Sequence, residues 1–325
     1  MRKTNVRIII IKRRSMLLLL AIFALALLLT IFAVFKGNTQ PTFNSNSAEY
    51  NTVMKRDLLC LMTAYWQYVK GVEKKPDGSV YLIMQSGLKI LYDDKKVKSN
   101  DEKLKNSDLQ DMLEQTYPLY SVTTLMPIEF NPGRNRVYSL FKDMYGQSKE
   151  KIEANLTGVR FGNQALRFNR NNNASVALKE IDSELLILTK NLNSAKPFVY
   201  PSSGTYSYRN IAGTNLLSTH SFGTAIDLAA NGKDYWQWAS KSEGMKRIKV
   251  YPPSVVKVFE DNNFIWGGKW GYFDLMHYEY RPELILKAKY FSKMPGLGQP
   301  WYIGSPYPQD THVRTYVQVI DEALK

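Results

Sequence analysis

Ser218-Thr219-His220-Ser221-Phe222-Gly223-Thr224-Ala225-Ile226-Asp227, followed about fifty residues on by Asp274-Leu275-Met276-His277, is where this chain declares a chemistry. Two imidazoles and a carboxylate fill three corners of a zinc tetrahedron and leave the fourth for water, the ligand set of a hydrolytic rather than a structural site. Histidine is rare here. Of the three, His220, His277 and His312, the first two stand in Gly- and aromatic-rich segments, where backbone can lie close to a ligand. Three polar residues alone fit satisfied core or surface groups equally well. Asp274-x2-His277 adds a second carboxylate within a turn or a strand's reach of a proposed ligand, which is what proton transfer at a metal requires. His312 has no motif around it and reads as a surface residue.

Four ordered blocks extend the pattern over about seventy residues: Tyr208-Arg209-Asn210-Ile211-Ala212-Gly213-Thr214-Asn215, Ser218-x-His220-x2-Gly223-x-Ala225-x-Asp227, Phe264-Ile265-Trp266-Gly267-Gly268-Lys269-Trp270, and Asp274-x2-His277-Tyr278-Glu279. Together they resemble the zinc D-alanyl-D-alanine carboxypeptidase family, which includes vancomycin-resistance carboxypeptidases and dipeptidases and the L-alanyl-D-glutamate peptidases of phage endolysins. Weaker resemblance runs from Val159 to Pro282. The resemblance implies Zn2+ on His220, Asp227 and His277, with Asp274 as general base. It implies Arg209 as the cation that steadies the oxyanion or a substrate carboxylate. Ser218 is a candidate to hydrogen-bond substrate or a ligand, and Trp266, Trp270 and Tyr278 to wall the pocket as substrate contacts, with large aromatics equally able to be core. Glu279 is expected to orient a ligand or to be an exposed glutamate. Two departures stand out. Leu216 replaces a basic residue common in such sequences, and Asn263 replaces a glycine at a helix stop, where Asn is the next most tolerant residue for left-handed backbone.

The amino terminus suggests a compartment. Residues 16 to 35 are an apolar run of twenty, about 30 Å long as a helix. Six of the 43 Lys and Arg residues precede it, while all 29 Asp and Glu follow. The positive-inside rule then predicts a cytoplasmic tail (1–15), a single-pass anchor in the cytoplasmic (inner) membrane (16–35) and a catalytic part outside the cytoplasm; a cleaved signal peptide is the alternative. Residues 36 to 51, rich in Asn, Ser and Thr, read as a flexible stalk. The formal net charge of +14 is spread without a dense stripe, so no nucleic-acid partner is expected. Cys60, the sole cysteine, reads as a buried spectator thiol.

Beyond the stalk the pattern predicts an N-terminal α+β lobe (52–150) and a zinc peptidase domain (151–325). The lobe is expected to hold a helix from Asp57 to Lys70, a hairpin around Gln85-Ser86-Gly87 and a helix from Ser107. The second part is expected to hold a hairpin around Gly162-Asn163, a helix from Ser175 to Asn193 on a Leu178/Ile181/Leu185/Leu188/Leu192 stripe, and a helix opened by Tyr251-Pro252-Pro253. Alternation over Gly223–Leu228 places Ile226 and Leu228 opposite Asp227. Mixed hairpins and helices predict an α+β fold behind a transmembrane helix; the resemblance implies a small antiparallel sheet carrying the zinc site, packed with helices as in hedgehog-type domains. The expected function is a membrane-anchored zinc metallopeptidase cutting peptidoglycan stem peptides, foremost as a D-alanyl-D-alanine carboxypeptidase. Alternatives are an L-alanyl-D-glutamate endopeptidase of the same fold and a non-catalytic, zinc-containing cell-wall adaptor; a pure binder has no need of Asp274.

Overall fold

The computed structural model describes residues 47–325. The expected tail, the apolar run 16–35 and the stalk as far as residue 46 lie outside the described residues. No helix among the described residues is long and apolar enough to cross a membrane. The expectation of a single-pass inner-membrane protein is corrected accordingly: the described fold is α+β with small antiparallel sheets and no membrane span. The stalk boundary is corrected too, because helix α1 (Ala48–Ala64) has begun before Asn51.

Helix α1 is followed by the meander β1 (Val69–Lys74), β2 (Val80–Met84) and β3 (Lys89–Leu91), then by the short helices α2 (Asn100–Lys105) and α3 (Leu109–Leu113). Helices α4 (Tyr138–Tyr145) and α5 (Lys149–Ala154) lead into the hairpin β4 (Leu156–Phe161) and β5 (Gln164–Asn169), helix α6 (Ala174–Asn191) and the single turn α7 (Lys196–Val199). Then come β6 (Ala225–Asp227), α8 (Lys241–Val250), α9 (Pro253–Asp261), β7 (Phe264–Trp266), β8 (His277–Tyr280), α10 (Pro282–Tyr290) and α11 (Thr311–Ala323). The expected helix over 57–70 therefore starts and stops earlier. Leu58 to Leu61 are fully buried, so that turn of α1 is apolar all round, and Val69 and Lys70 belong to β1 instead.

Helix α6 buries Leu178, Ile181 and Leu185 completely against the β4–β5 hairpin and α9, while Leu192, beyond its end, is exposed. Ser175 lies inside this helix rather than capping it; the chain enters through Asn172 and Asn173, both left-handed at φ 52° and 59°. Asn is the side chain that best tolerates that region. Asn263 adopts φ 66° between α9 and β7, so the helix stop survives the missing glycine.

The sheet that positions the site has strand order β6-β8-β7, both pairs antiparallel. Its register sets Asp227 opposite His277, Ile226 opposite Tyr278 and Ala225 opposite Glu279. Because side chains alternate along a strand, Ile226 and Tyr278 enter a core with Phe259, Phe264 and Trp266, and Asp227, His277 and Glu279 share the other face.

Residues 117–136 are fastened to the segment after β7. Trp270 Nε1 donates to Pro132 O (2.7 Å), Gly271 N to Phe130 O (2.7 Å) and Tyr272 N to Asn131 Oδ1 (3.0 Å). Lys269 Nζ reaches Pro118 O (2.7 Å) and Glu260 (2.5 Å), and Tyr117 donates to the same Glu260 oxygen (2.5 Å). Gly271 has no room for a side chain: a Cβ there would run into the Pro127 carbonyl and the Ile128 backbone.

Candidate active site

The third member of the cluster arrives from outside the sheet. His220 lies on a 3-10 turn, Thr219–Phe222, capped at its start by Ser218, whose Oγ accepts from His220 N at 3.3 Å. Gly223 ends the turn at φ 66°, and a Cβ there would come within 2.5 Å of Leu156 Cδ2, so both conformation and space call for glycine. The turn aims His220 at the Asp227–His277 pair. His220 Nε2 lies 3.2 Å from His277 Nδ1 and 3.2 Å from Asp227 Oδ2, and Asp227 Oδ1 lies 2.8 Å from His277 Nδ1. One ligand atom from each residue thus falls within 4.8 Å of the others.

The outer nitrogens fix the tautomers. His220 Nδ1 stands 2.5 Å from Thr205 O, which can only accept, so that nitrogen carries the proton and Nε2 turns its lone pair inward. His277 Nε2 lies 2.9 Å from Glu279 Oε1, which assigns its proton in the same way and leaves Nδ1 facing the cluster. Glu279 is buried and held by Arg136, by Thr219 Oγ1 (3.1 Å) and by Arg281 (3.6 Å). Burial pushes its carboxyl up, but Arg136, His277 and Arg281 outweigh this and hold it well below the usual carboxylate range. Asp227 behaves alike: burial raises it, and His220 and His277 bring it down further than burial lifted it. His277, surrounded by protein groups only, is pulled down by burial and driven up to about 10 by Asp227 and Glu279.

The cluster is built to hold positive charge between two ionised carboxylates. A divalent cation on two imidazole nitrogens and one carboxylate, with each imidazole oriented from behind, meets that requirement, and the donor set suits zinc. A second acidic group, Asp93, Asp94 and Asp108, does not compare. There Lys98 Nζ already supplies the cation, 3.1 Å from Asp94, 2.8 Å from Asp108 and 2.6 Å from Asp111.

Asp274 is pinned next to this cluster by its backbone, which donates to Gly267 O (3.0 Å) and accepts from His277 N (3.3 Å). Burial pushes its carboxyl up to about 7; Asp227 adds to the rise, and His277 and Arg134 oppose it. Its Oδ1 is buried with no hydrogen-bond partner. A carboxylate poised near neutrality with an open acceptor is suited to proton transfer.

The remaining sequence-derived residues divide. Arg209 is exposed; its backbone is clasped by Ser221 Oγ (2.8 and 2.6 Å), and its side chain makes no hydrogen bond or ion pair among the described residues. Ser218 is spent on the turn cap. Trp266 and Tyr278, expected as substrate contacts, are corrected to core: Trp266 Nε1 donates to Leu275 O (2.7 Å), Tyr278 stacks on Phe259 at 3.9 Å, and both lie on the sheet face opposite His277. Trp270 does reach the site, its ring 5.6 Å from that of His277. Thr205, Arg134 and Arg136 were missed, because no local motif marks them; a basic pair beside Pro132-Gly133 was the one available signal. His312 is exposed and Cys60 buried, as expected.

Residues 212–280 match a family described as D-alanyl-D-alanine carboxypeptidase. The matched span contains His220, Asp227, Asp274 and His277, so the resemblance read from the sequence holds over the segment that builds the site. It supports a peptidase acting on cell-wall peptides. No curated protein and no solved structure gives a significant match to the chain.

Proposed function

We propose that this chain is a zinc-dependent peptidase that cuts peptidoglycan stem peptides, of the D-alanyl-D-alanine carboxypeptidase type. The observation that carries the reading is the convergence of His220 Nε2, Asp227 and His277 Nδ1, each imidazole held from behind, beside a carboxyl that titrates near neutrality. Zinc held there supplies the Lewis acid that acidifies water and polarises the scissile carbonyl. Asp274 takes the proton from the attacking water and returns it to the leaving amine. Glu279 keeps the His277 ring turned so that Nδ1 faces inward. Arg209, exposed and with no side-chain partner among the described residues, is our candidate for the cation that steadies the oxyanion of a bound peptide.

The test is to load the purified chain with zinc, incubate it with defined pentapeptide and tetrapeptide stems, and weigh the products. Loss of a single terminal D-alanine supports the proposal. Loss of a dipeptide or an internal cut moves the chain to another specificity of the same fold, and no hydrolysis with zinc bound refutes a peptidase.

A further inference from the structure

The cations around the site are not equally committed. Arg136 is spent on Glu279, Arg281 on Glu283 (2.6 Å) and Glu279, Lys269 on Glu260, and Arg247 on Asp234 (2.6 Å). Arg134 has no carboxylate partner among the described residues. The one hydrogen bond of its guanidinium among the described residues, to Tyr272 O, is long at 3.5 Å. Yet it is half-buried and held in place: its guanidinium lies 5.7 Å from the Trp270 ring centre and 5.0 Å from that of Tyr272, and both residues are tied by hydrogen bonds to Pro132 and Asn131 just before it. Trp270 in turn stands 5.6 Å from the His277 ring. The guanidinium is therefore one aromatic ring removed from the proposed metal centre. Its charge also bears on Asp274 and on Tyr235.

We propose that Arg134 is a substrate-binding residue that holds the free carboxylate at the C-terminal end of the peptide being cut. This rests on the peptidase reading of the same site. A guanidinium stacked on aromatic faces keeps its edge donors free for a planar, two-pronged grip on a carboxylate. Burial and nearby Arg136 lower the Arg134 pKa, against Tyr235, Glu279 and Asp274, which raise it. The charged group of a terminal amino acid lies one residue, about 3.5 Å of chain, from the bond that releases it, so a carboxylate clamp beside the site acts on the leaving residue. A one-residue leaving group with a free carboxylate is a terminal amino acid.

The experiment compares a stem pentapeptide ending in D-alanyl-D-alanine with its C-terminal amide, on zinc-loaded wild type, Arg134→Met and Arg134→Lys. Arg134→Met is expected to raise KM for the free acid about 10- to 100-fold, the range lost with a charged hydrogen bond. The amide should be unaffected and kcat should stay within about threefold, so the preference for acid over amide disappears; Arg134→Lys should restore part of it. Unchanged KM, or equal losses on acid and amide, would overturn the assignment. Zinc content and melting temperature identify a variant that has merely lost its fold, in which case Arg134→Lys alone is read: its acid preference must fall below that of wild type without loss of amide turnover. A wild type that cuts neither peptide sinks the peptidase reading. Arg134 is then judged by fluorescence titration with the two uncleaved peptides, where equal wild-type affinities overturn the proposal and an acid preference lost in Arg134→Met upholds it.

Discussion

Replacing Glu279 with Gln keeps the side chain's shape and removes the charge shared by Arg136, Arg281 and His277. Breaking a buried ion pair by removing one partner costs about 3–5 kcal/mol. Gln keeps an oxygen for Thr219 and for His277, so the lower end applies. At about 2–4 °C per kcal/mol for domains of this size, the melting temperature should fall by about 6–12 °C. The effect on metal is separate: losing the carboxylate behind a metal-binding imidazole weakens the metal about 10- to 100-fold, equivalent to about 1.4–2.8 kcal/mol. Differential scanning calorimetry with chelator measures the first effect, and competition with a chromophoric zinc chelator measures the second. The pH dependence has a definite sign. Glu279 titrates below the ordinary 4.5, so its contribution is complete above pH 4.5 and is lost as pH falls towards its folded value; wild type and variant should converge only in acid. A variant that melts within about 1 °C of wild type refutes the ion-pair reasoning. One that melts lower but binds zinc equally well refutes the orienting role.

Asp274→Asn should keep zinc and lose turnover about 10²- to 10⁴-fold, whereas His277→Ala should lose zinc as well; metal content and kcat measured on both variants check this. The acid limb of kcat/KM should have its midpoint at or below 7, because a base raised to about 7 by burial works only when ionised and a bound cation lowers it further; a limb that persists in Asp274→Asn would assign it to another group. Lys98→Met should lower the melting temperature at neutral pH, because it leaves the crowded carboxylates of Asp94, Asp108 and Asp111 without their shared cation. In the intact chain burial pulls Lys98 down but the three carboxylates raise it above its ordinary 10.5, so its contribution is full below pH 10.5 and fades only above that, which an alkaline melting series reads directly. Gly271→Ala should retain zinc yet lower both melting temperature and kcat/KM, because a methyl group there forces the Pro127–Ile128 backbone, and with it the stretch leading to Arg134, away from Trp270.

What the sequence disclosed was local. His220, Gly223 and Asp227 lie on one turn and one strand, so their spacing encodes geometry, and the alternation that aimed Asp227 away from Ile226 follows from the pleat alone. The pairing of Asp227 with His277 depended on strand register, which no local motif encodes. Aromatic residues were ambiguous for a physical reason: Trp266, Trp270 and Tyr278 have equal cause to pack, and a single step along the chain decides which face each one joins. Ser218 had two uses for its hydroxyl, and the cap won because an unsatisfied helix-start N–H needs a partner whether or not substrate is present. The apolar run at 16–35 reads clearly as sequence, but it falls outside the described residues and the fold offers it no counterpart.

The arginines were illegible because their role exists only through Glu279. A buried carboxylate left alone takes up a proton, and a protonated Glu279 could donate a hydrogen bond to His277 Nε2 instead of accepting one, which would turn the imidazole's proton towards the metal position. Arg281, on the residue that leads into α10, and Arg136, from the chain before α4, keep it ionised. The tautomer of a proposed zinc ligand is therefore set by a residue about 140 positions earlier in the chain, through one intervening carboxylate. Arg134, two residues before Arg136 on the same stretch, stacks on Trp270 and Tyr272. One short segment outside the matched family region thus supplies both the charge that orients the metal ligand and the charge offered to substrate. Specificity can then change with that segment while the ligand set His220, Asp227 and His277 stays the same.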